Sequence, residues 1–213
     1  KTVTAAEMKE RERAANEAGL LYIQMMENAG RAAWKELKAR VPALRRLLIV
    51  AGKGNNGGDG FVMARVAAKE GVQVRVLLAE GEPKTADAKT NLARLAEAAE
   101  IVRDTEQAAF GADAVVDALY GTGFHGELRP DGAAACALMG RERERGAFVL
   151  ALDLPSGVSA DSGEVAEGAV QADATVTFDC TKPLHFAKAS KPLCGALVCA
   201  DIGIGKALGE RET

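Results

Sequence analysis

The side chains of this sequence best suited to chemistry lie in three glycine-bearing turns: GKGNNGGDG (52–60), GTGFHGE (121–127) and DLPSG (153–157). In the first, Asn55, Asn56 and Asp59 stand among glycines. A bare turn needs the glycines but not the amides and the carboxylate. Together they point to hydrogen bonding of a hydroxylated ligand, or to oxygen ligation of a cation. Plainer readings compete: Asp59 as a helix-dipole partner and Asn55 as an N-cap. Gly52, Gly54 and Gly57 also satisfy G-x-G-x-x-G, the spacing that lets a pyrophosphate reach the backbone at a helix N-terminus. Glu80, at the end of the next strand, stands where a ribose partner would be wanted. Gly121, Gly123 and Gly126 fit the same template, so the pattern discriminates little by itself.

Two more acids sit at the ends of apolar runs. Asp117 follows AVV, and Asp153 follows FVLAL. A carboxylate placed there is costly unless it is paired or bound to a cation. For Asp117 a salt bridge or backbone contact is an equal alternative. Pro155 and Gly157 force a turn that leaves Ser156 at its apex, although an ordinary capped turn explains D-L-P-S-G as well. G-x-S-x-G is absent, so Ser156 is not an elbow nucleophile.

These turns must be held by regular elements. The periodicity predicts one helix over about 4–40, closed by Pro42. RRLLIVAG reads as a buried strand, FVMARVAAKEG as a helix stopped by Gly71, and VQVRVLLAEG as a second strand. TADAKTNLARLAEAAE is helical, IVRD and AVVDAL are strands, DGAAACALMGRERERG is helical, and FVLAL is a strand. ADATVTFDC and GALVCADIGIG add strands with little helix between them. Alternating strand and helix implies an α/β domain with a parallel sheet covered on both faces. The helix-poor stretch 165–205 predicts extra strands and a mixed sheet, within a single domain over 1–213. In such sheets ligands bind beyond the carboxyl ends of the strands, where all three turns fall.

Composition narrows the partners. The chain has 213 residues, 48% hydrophobic, with 27 basic and 30 acidic side chains for a net charge of −3. That balance argues against nucleic acid or a membrane surface as partner. The first residues are charged and mixed, unlike a secretory signal, and no transmembrane helix is expected. Cys136, Cys180, Cys194 and Cys199 form no C-x-x-C, and the two histidines lack metal-ligand spacing, so a zinc site is not expected. Thiols in apolar surroundings and the lack of a signal give a cytoplasmic expectation.

MENAG (26–30), AGKGNNGGDGFVMAR (51–65), DALYGTGFHGE (117–127), DLPSG (153–157) and TFDCTKP (177–183), in this order, resemble the YjeF N-terminal domain family, the NAD(P)H-hydrate epimerases. The likeness runs from about Thr4 to Gly205. It implies a three-layer αβα Rossmann-like sandwich that interconverts the R and S forms of NADHX and NADPHX, the 6-hydroxy hydrates of NADH and NADPH. An ADP- or ATP-dependent dehydratase, fused or separate, would restore the cofactor from the S form, and a homodimer is implied. The resemblance places substrate contacts at Asn55, Asn56, Gly57, Gly58 and Asp59, at Gly121, Thr122, Gly123, Phe124, His125, Gly126 and Glu127, and at Asp153. It places a potassium ion (K+) on Asn56, Asp117 and Ser156. These donors are all oxygens with a single carboxylate, which suits a monovalent hard cation.

Inverting C6 means breaking and remaking a bond there, which needs a proton donor and acceptor. Asp153, ending a rigid strand, is the catalytic candidate. Lys182 is either a second polar group of the site or a cap on the sheet edge, and His125 is placed in binding only. Two rivals stand beside this reading. A dinucleotide-dependent dehydrogenase would use Gly52–Gly57 and Glu80. A non-catalytic dimerisation or scaffold module would be expected to lose the polar residues that are present here.

Overall fold

The computed structural model describes residues 1–210. Helices α1 (Ala5–Glu17) and α2 (Tyr22–Arg40) lead into β1 (Arg46–Ala51), α3 (Asn55–Lys69), β2 (Gln73–Leu78), α4 (Ala86–Leu95) and β3 (Glu100–Val102). A single turn, α5 (Thr105–Ala108), precedes β4 (Ala114–Ala118), α6 (Pro130–Glu144) and β5 (Phe148–Leu152). β6 (Ala174–Phe178), β7 (Ala196–Ala200) and the short α7 (Ile204–Ala207) follow. The strands form one sheet of order β3-β2-β1-β4-β5-β6-β7.

Side chains of β1 alternate between two cores, as the pleat dictates. Leu47, Ile49 and Ala51 pack with α2, α3 and α4, while Leu48 and Val50 pack with α5 and α6. Burial on both faces explains why β4 is buried at every position. Strand order reverses between β1 and β4, so the loops leaving these neighbours open a crevice at the sheet's carboxyl edge.

Three expectations are corrected. The sheet is not mixed: β6 and β7 pair parallel with their neighbours. The irregular segment 153–173 and two 3₁₀ turns, Pro183–His185 and Lys191–Cys194, make those crossovers in place of longer helices. The helix expected over 4–40 is two helices. Gly19 takes φ +102°, a left-handed conformation that ends α1, and α2 restarts at Tyr22. Finally, NNGGDG is not a loop before a helix. It is the first part of α3, with Gly54 rather than Asn55 in the N-cap position.

The helical glycines of α3 are there for close approach. A Cβ on Gly57 would lie 2.2 Å from the Gly52 carbonyl oxygen, and one on Gly58 would lie 2.5 Å from Met26 Sδ. They let α3 begin hard against the β1 turn and α2.

Candidate active site

The crevice holds two adjoining cavities. The first, about 610 Å³, is walled by α1 (Met8, Lys9, Glu12), the start of α3 (Asn55, Asn56, Asp59), the turn 121–123, and Asp153, Phe178 and Lys182. The second, about 510 Å³, is walled by Lys53, Glu80, Tyr120, Phe124, His125, Glu127 and Arg129. Asn55, Asn56, Gly121, Thr122 and Gly123 belong to both walls. Such volumes suit small-molecule ligands, and an elongated one could lie across the shared wall.

The floor of this wall is a hydrogen-bonded knot joining three elements. Asn56 Nδ2 donates to the Tyr120 carbonyl at 2.9 Å, and Tyr120 N–H donates to Ser156 Oγ at 3.0 Å. Ser156 Oγ donates to Asp117 Oδ1 at 2.6 Å, and Ser156 N–H donates to Asp117 Oδ2 at 2.7 Å. Leu119 N–H adds a bond to Asp117 Oδ1 at 3.2 Å. Asn56, Asp117 and Ser156, nominated separately along the chain, thus meet around the Tyr120 peptide. Because the Asn56 amide nitrogen must face the Tyr120 carbonyl, its oxygen points elsewhere. That oxygen is buried and among the described residues has no hydrogen-bond partner, a state buried polar atoms rarely tolerate. Burial of Asp117 pushes its carboxyl up to about 6, against the lowering pull of the Ser156 and Leu119 bonds.

Asp153 stands at the end of β5 with φ +67°, in the left-handed region, where Asp is more tolerant than most residues. Such strain costs on the order of 1–3 kcal/mol and persists where neighbours enforce it. Here they do. Asp153 N–H donates to the Val176 carbonyl at 2.7 Å, and His185 Nε2–H donates to the Asp153 carbonyl at 3.0 Å. His185 Nδ1 accepts the Lys182 N–H at 2.9 Å, which assigns that tautomer.

The Asp153 carboxylate accepts Lys182 Nζ at 2.5 Å and Thr177 Oγ1 at 2.8 Å. Burial raises the Asp153 pKa, but the Lys182 charge and the Lys182 and Thr177 bonds outweigh it and hold the group below its usual value. Asp153 is therefore an ionised acceptor. Lys182 is 1% exposed, so it is an interior partner and not a cap on the sheet edge.

Three other carboxyls, Glu12, Asp59 and Asp87, line the same cavity. Burial, then the charges of Asp153 and Glu12, push Asp59 well above its usual range, with Lys182 opposing. Glu12 is pushed up to about 6, by burial first and then by the Asp153 charge. The strand-end wall thus carries a fixed anion, while Glu12 on α1 and Asp59 on α3 bind their protons more tightly than ordinary carboxyls do.

The remaining nominees divide. Thr122 and Gly123 line both cavities, while Phe124, His125 and Glu127 line the second. Gly126 lines only a separate groove with Leu128 and Val165. Gly57 and Gly58 line neither crevice cavity, because they are spent on packing α3. Glu80, the nominal ribose partner, accepts the Tyr120 hydroxyl at 2.8 Å, and Tyr120 stacks on Phe124 with centroids 5.1 Å apart. Sequence reasoning missed Glu12, Thr177 and His185. Thr177 and His185 carry a legible signal, five residues before and three after Lys182. Glu12 carries none, lying in a charged run of an outer helix.

Residues 22–184 match the family model described as YjeF-related protein N-terminus. The chain is 40% identical over 203 residues to the NAD(P)H-hydrate epimerase of Pirellula staleyi, covering 90% of this chain and 87% of that one. It is 38% identical over 202 residues to the bifunctional NAD(P)H-hydrate repair enzyme Nnr of Coxiella burnetii, covering 94% of this chain but 41% of the relative. The chain therefore spans about two-fifths of that bifunctional relative's length. The crystal structure of yeast ynu0 superposes with a TM-score of 0.76 at 19% identity, over 94% of this chain and 88% of the other, a likeness of fold. On the match of the family model and of these relatives, the chain belongs to the family of YjeF-related protein N-termini.

Proposed function

We propose that this chain epimerises NADHX and NADPHX, interconverting the R and S configurations at C6 of the hydrated nicotinamide ring. The observation that carries the reading is the pairing, in one strand-end cavity, of an ionised Asp153 held by buried Lys182 with a carboxyl, Asp59, kept neutral. An acceptor and a donor facing one cavity are what inversion at a hydroxylated carbon requires. The names of the relatives, epimerase and bifunctional repair enzyme, support the same chemistry.

Asp153 serves as the acceptor at the C6 hydroxyl, and Asp59 donates a hydrogen bond to a substrate oxygen. Asn55, Thr122 and Gly123 border both cavities and hold the dinucleotide where it crosses from one to the other. Lys53 and Arg129 give the second cavity positive charge for its phosphates. The donor set Asn56, Asp117 and Ser156 fits potassium: all oxygens, one carboxylate, and a buried Asn56 oxygen in want of a partner. When bound, the ion would supply electrostatic organisation of the three turns.

The homodimer and the cytoplasmic location belong to the same reading, as does a dehydratase acting on the S product, fused or separate. A dehydrogenase is disfavoured because Tyr120 already holds Glu80. An inert scaffold is disfavoured by the intact Asp153–Lys182 pair. The test supplies pure (R)-NADPHX and follows the S epimer with and without potassium. Conversion no faster than the uncatalysed rate in both conditions refutes the reading.

A further inference from the structure

We propose that Glu12 is the acid that protonates the departing C6 hydroxyl, working across the cavity with Asp153 as the base; this rests on the epimerase reading above. Glu12 sits on α1, which forms a wall of the first cavity with Met8 and Lys9, while Asp153 and Lys182 come from the strand ends. Among the described residues Glu12 makes no hydrogen bond and no ion pair, although it is partly buried. A carboxyl so placed and left without a protein partner is available to a ligand.

The placement of α1 is enforced from outside the cavity. Thr4 and Glu7 close a capping box at its start. Ala5 N–H donates to Asp161 at 2.7 Å. Arg11, next to Glu12, donates to Asp179 at 2.7 Å and to Glu210 at 2.6 Å and 2.9 Å. Val3 N–H donates to the Thr181 carbonyl at 2.9 Å, stitching the chain before α1 to the residue next to Lys182. Glu12 is thus held against the cavity by contacts that it does not itself make.

The charged groups around Glu12 set its proton affinity. Asp153 and Asp179 raise it beyond the effect of burial, and Lys182 and Lys9 lower it, leaving the carboxyl titrating at about 6. An acid works best when its pKa lies near the working pH. Asp59, held well above its usual value, releases a proton less readily and suits fixed donation.

The step balances. The Glu12 proton moves to the C6 hydroxyl oxygen. The C6–O bond breaks, its electron pair leaves on water, and the N1 lone pair forms a C6=N1 double bond. Asp153 and the Glu12 carboxylate stabilise the resulting cation. Water adds to the opposite face of C6, N1 recovers its pair, and Asp153 takes the released proton. Exchange with solvent returns a proton to Glu12 and strips one from Asp153. One water leaves and another enters, so no oxidant or reductant is needed.

The test measures kcat and KM on (R)-NADPHX from pH 5 to 9 for the wild type, Glu12→Gln and Glu12→Asp, with thermal melts as fold controls. The wild type should lose kcat/KM above a pKa near 6, about tenfold per pH unit. Glu12→Gln should lose about 10²–10⁴-fold in kcat at pH 6 with KM little changed, and should lack that limb. Glu12→Asp should recover part of the rate and keep a limb, displaced in pH because the shorter carboxyl stands differently toward Asp153 and Lys182. A folded Glu12→Gln that keeps the limb and a kcat within about threefold of wild type overturns the proposal, leaving the epimerase reading intact. If Glu12→Gln fails to fold, the proposal stands or falls on the Glu12→Asp profile: a reduced rate with a displaced limb sustains it, and the wild-type rate with an unmoved limb overturns it. A wild type that never exceeds the uncatalysed rate refutes the epimerase reading and the role of Glu12 with it.

Discussion

Asp153→Asn separates charge from shape at the centre of the proposed chemistry. The wild-type carboxylate accepts Lys182 Nζ at 2.5 Å and Thr177 Oγ1 at 2.8 Å, and the Lys182 and Asp153 side chains are 1% and 14% exposed. Asparagine keeps the volume and one acceptor oxygen but leaves the buried ammonium uncompensated. Breaking such a pair from one side costs about 3–5 kcal/mol. In a chain of this size each kcal/mol moves Tm by about 2–4 °C, so Tm should fall by roughly 6–20 °C at neutral pH. Epimerisation should fall by about 10²–10⁴-fold, the usual worth of a positioned proton acceptor.

The double variant Asp153→Asn with Lys182→Met removes both charges. It should recover most of the lost Tm, because deleting a whole buried pair is far cheaper than deleting half of it. Turnover should stay low. The pH dependence has a definite sign. Asp153 titrates lower in the folded chain than when unfolded, so its contribution is present at neutral pH and is lost as pH falls through the folded pKa. Asp153→Asn should therefore be least damaging to stability in acid. Wild-type turnover in Asp153→Asn would remove the residue from the mechanism. An unchanged Tm would show that the pair does not bear the charge balance inferred for it.

Other outcomes follow from the same geometry. Titrating potassium to about 100 times its Kd should stabilise the wild type by about 2.7 kcal/mol in thermal melts, and Asn56→Ala should abolish that gain; equal gains with lithium would argue against a specific site. Gly57→Ala should destabilise by about 1–3 kcal/mol, since its Cβ would meet the Gly52 carbonyl oxygen at 2.2 Å, whereas Gly54→Ala, with nothing within 4 Å, should cost under about 1 kcal/mol. Glu12 is raised to about 6 from an ordinary 4.5, so the folded chain binds the extra proton and stability falls as pH rises through that window, by at most about 2 kcal/mol. Glu12→Gln should therefore match wild type near pH 4 and melt higher than wild type near pH 8; parallel curves at all pH values would contradict the assigned environment.

Much of this architecture could be read from residue order, for identifiable reasons. Buried parallel strands are near-continuous apolar runs, so LLIV, AVVDA and FVLAL were unmistakable, and glycine or aspartate at their ends marked the edge where ligands bind. The helical character of NNGGDG was hidden because intrinsic propensity disfavours glycine and asparagine inside helices. Tertiary contact overrides propensity here: only glycine lets α3 approach the Gly52 carbonyl and Met26. The sheet's parallel ending is hidden because an irregular segment and then two short 3₁₀ turns, not helices of ordinary length, make the last crossovers. Asp117 was legible as a misplaced charge, and its meeting with Asn56 and Ser156 follows from three strands ending side by side. Glu12 was illegible, because nothing in the local pattern of α1 says which charged residue faces the cavity.

The division of labour among the cavity's acids follows from a shortage of positive charge. Three of the four carboxyls that line the cavity, Glu12, Asp59 and Asp153, share one buried cation, Lys182. One lysine can hold one carboxylate ionised at contact distance, and Asp153 has that contact. Its charge then acts on the other two at longer range and with opposite sign, raising both. Burial first, and then repulsion from the Asp153 carboxylate against the opposing pull of Lys182, raises the proton affinity of the two acids, while the same lysine keeps Asp153 the base. Removing the Asp153 charge should consequently lower the pKa of Glu12. In Asp153→Asn the residual pH–rate limb assigned to Glu12 should move to lower pH, whereas a residual limb that stays in place would show that the two carboxyls are not electrostatically coupled.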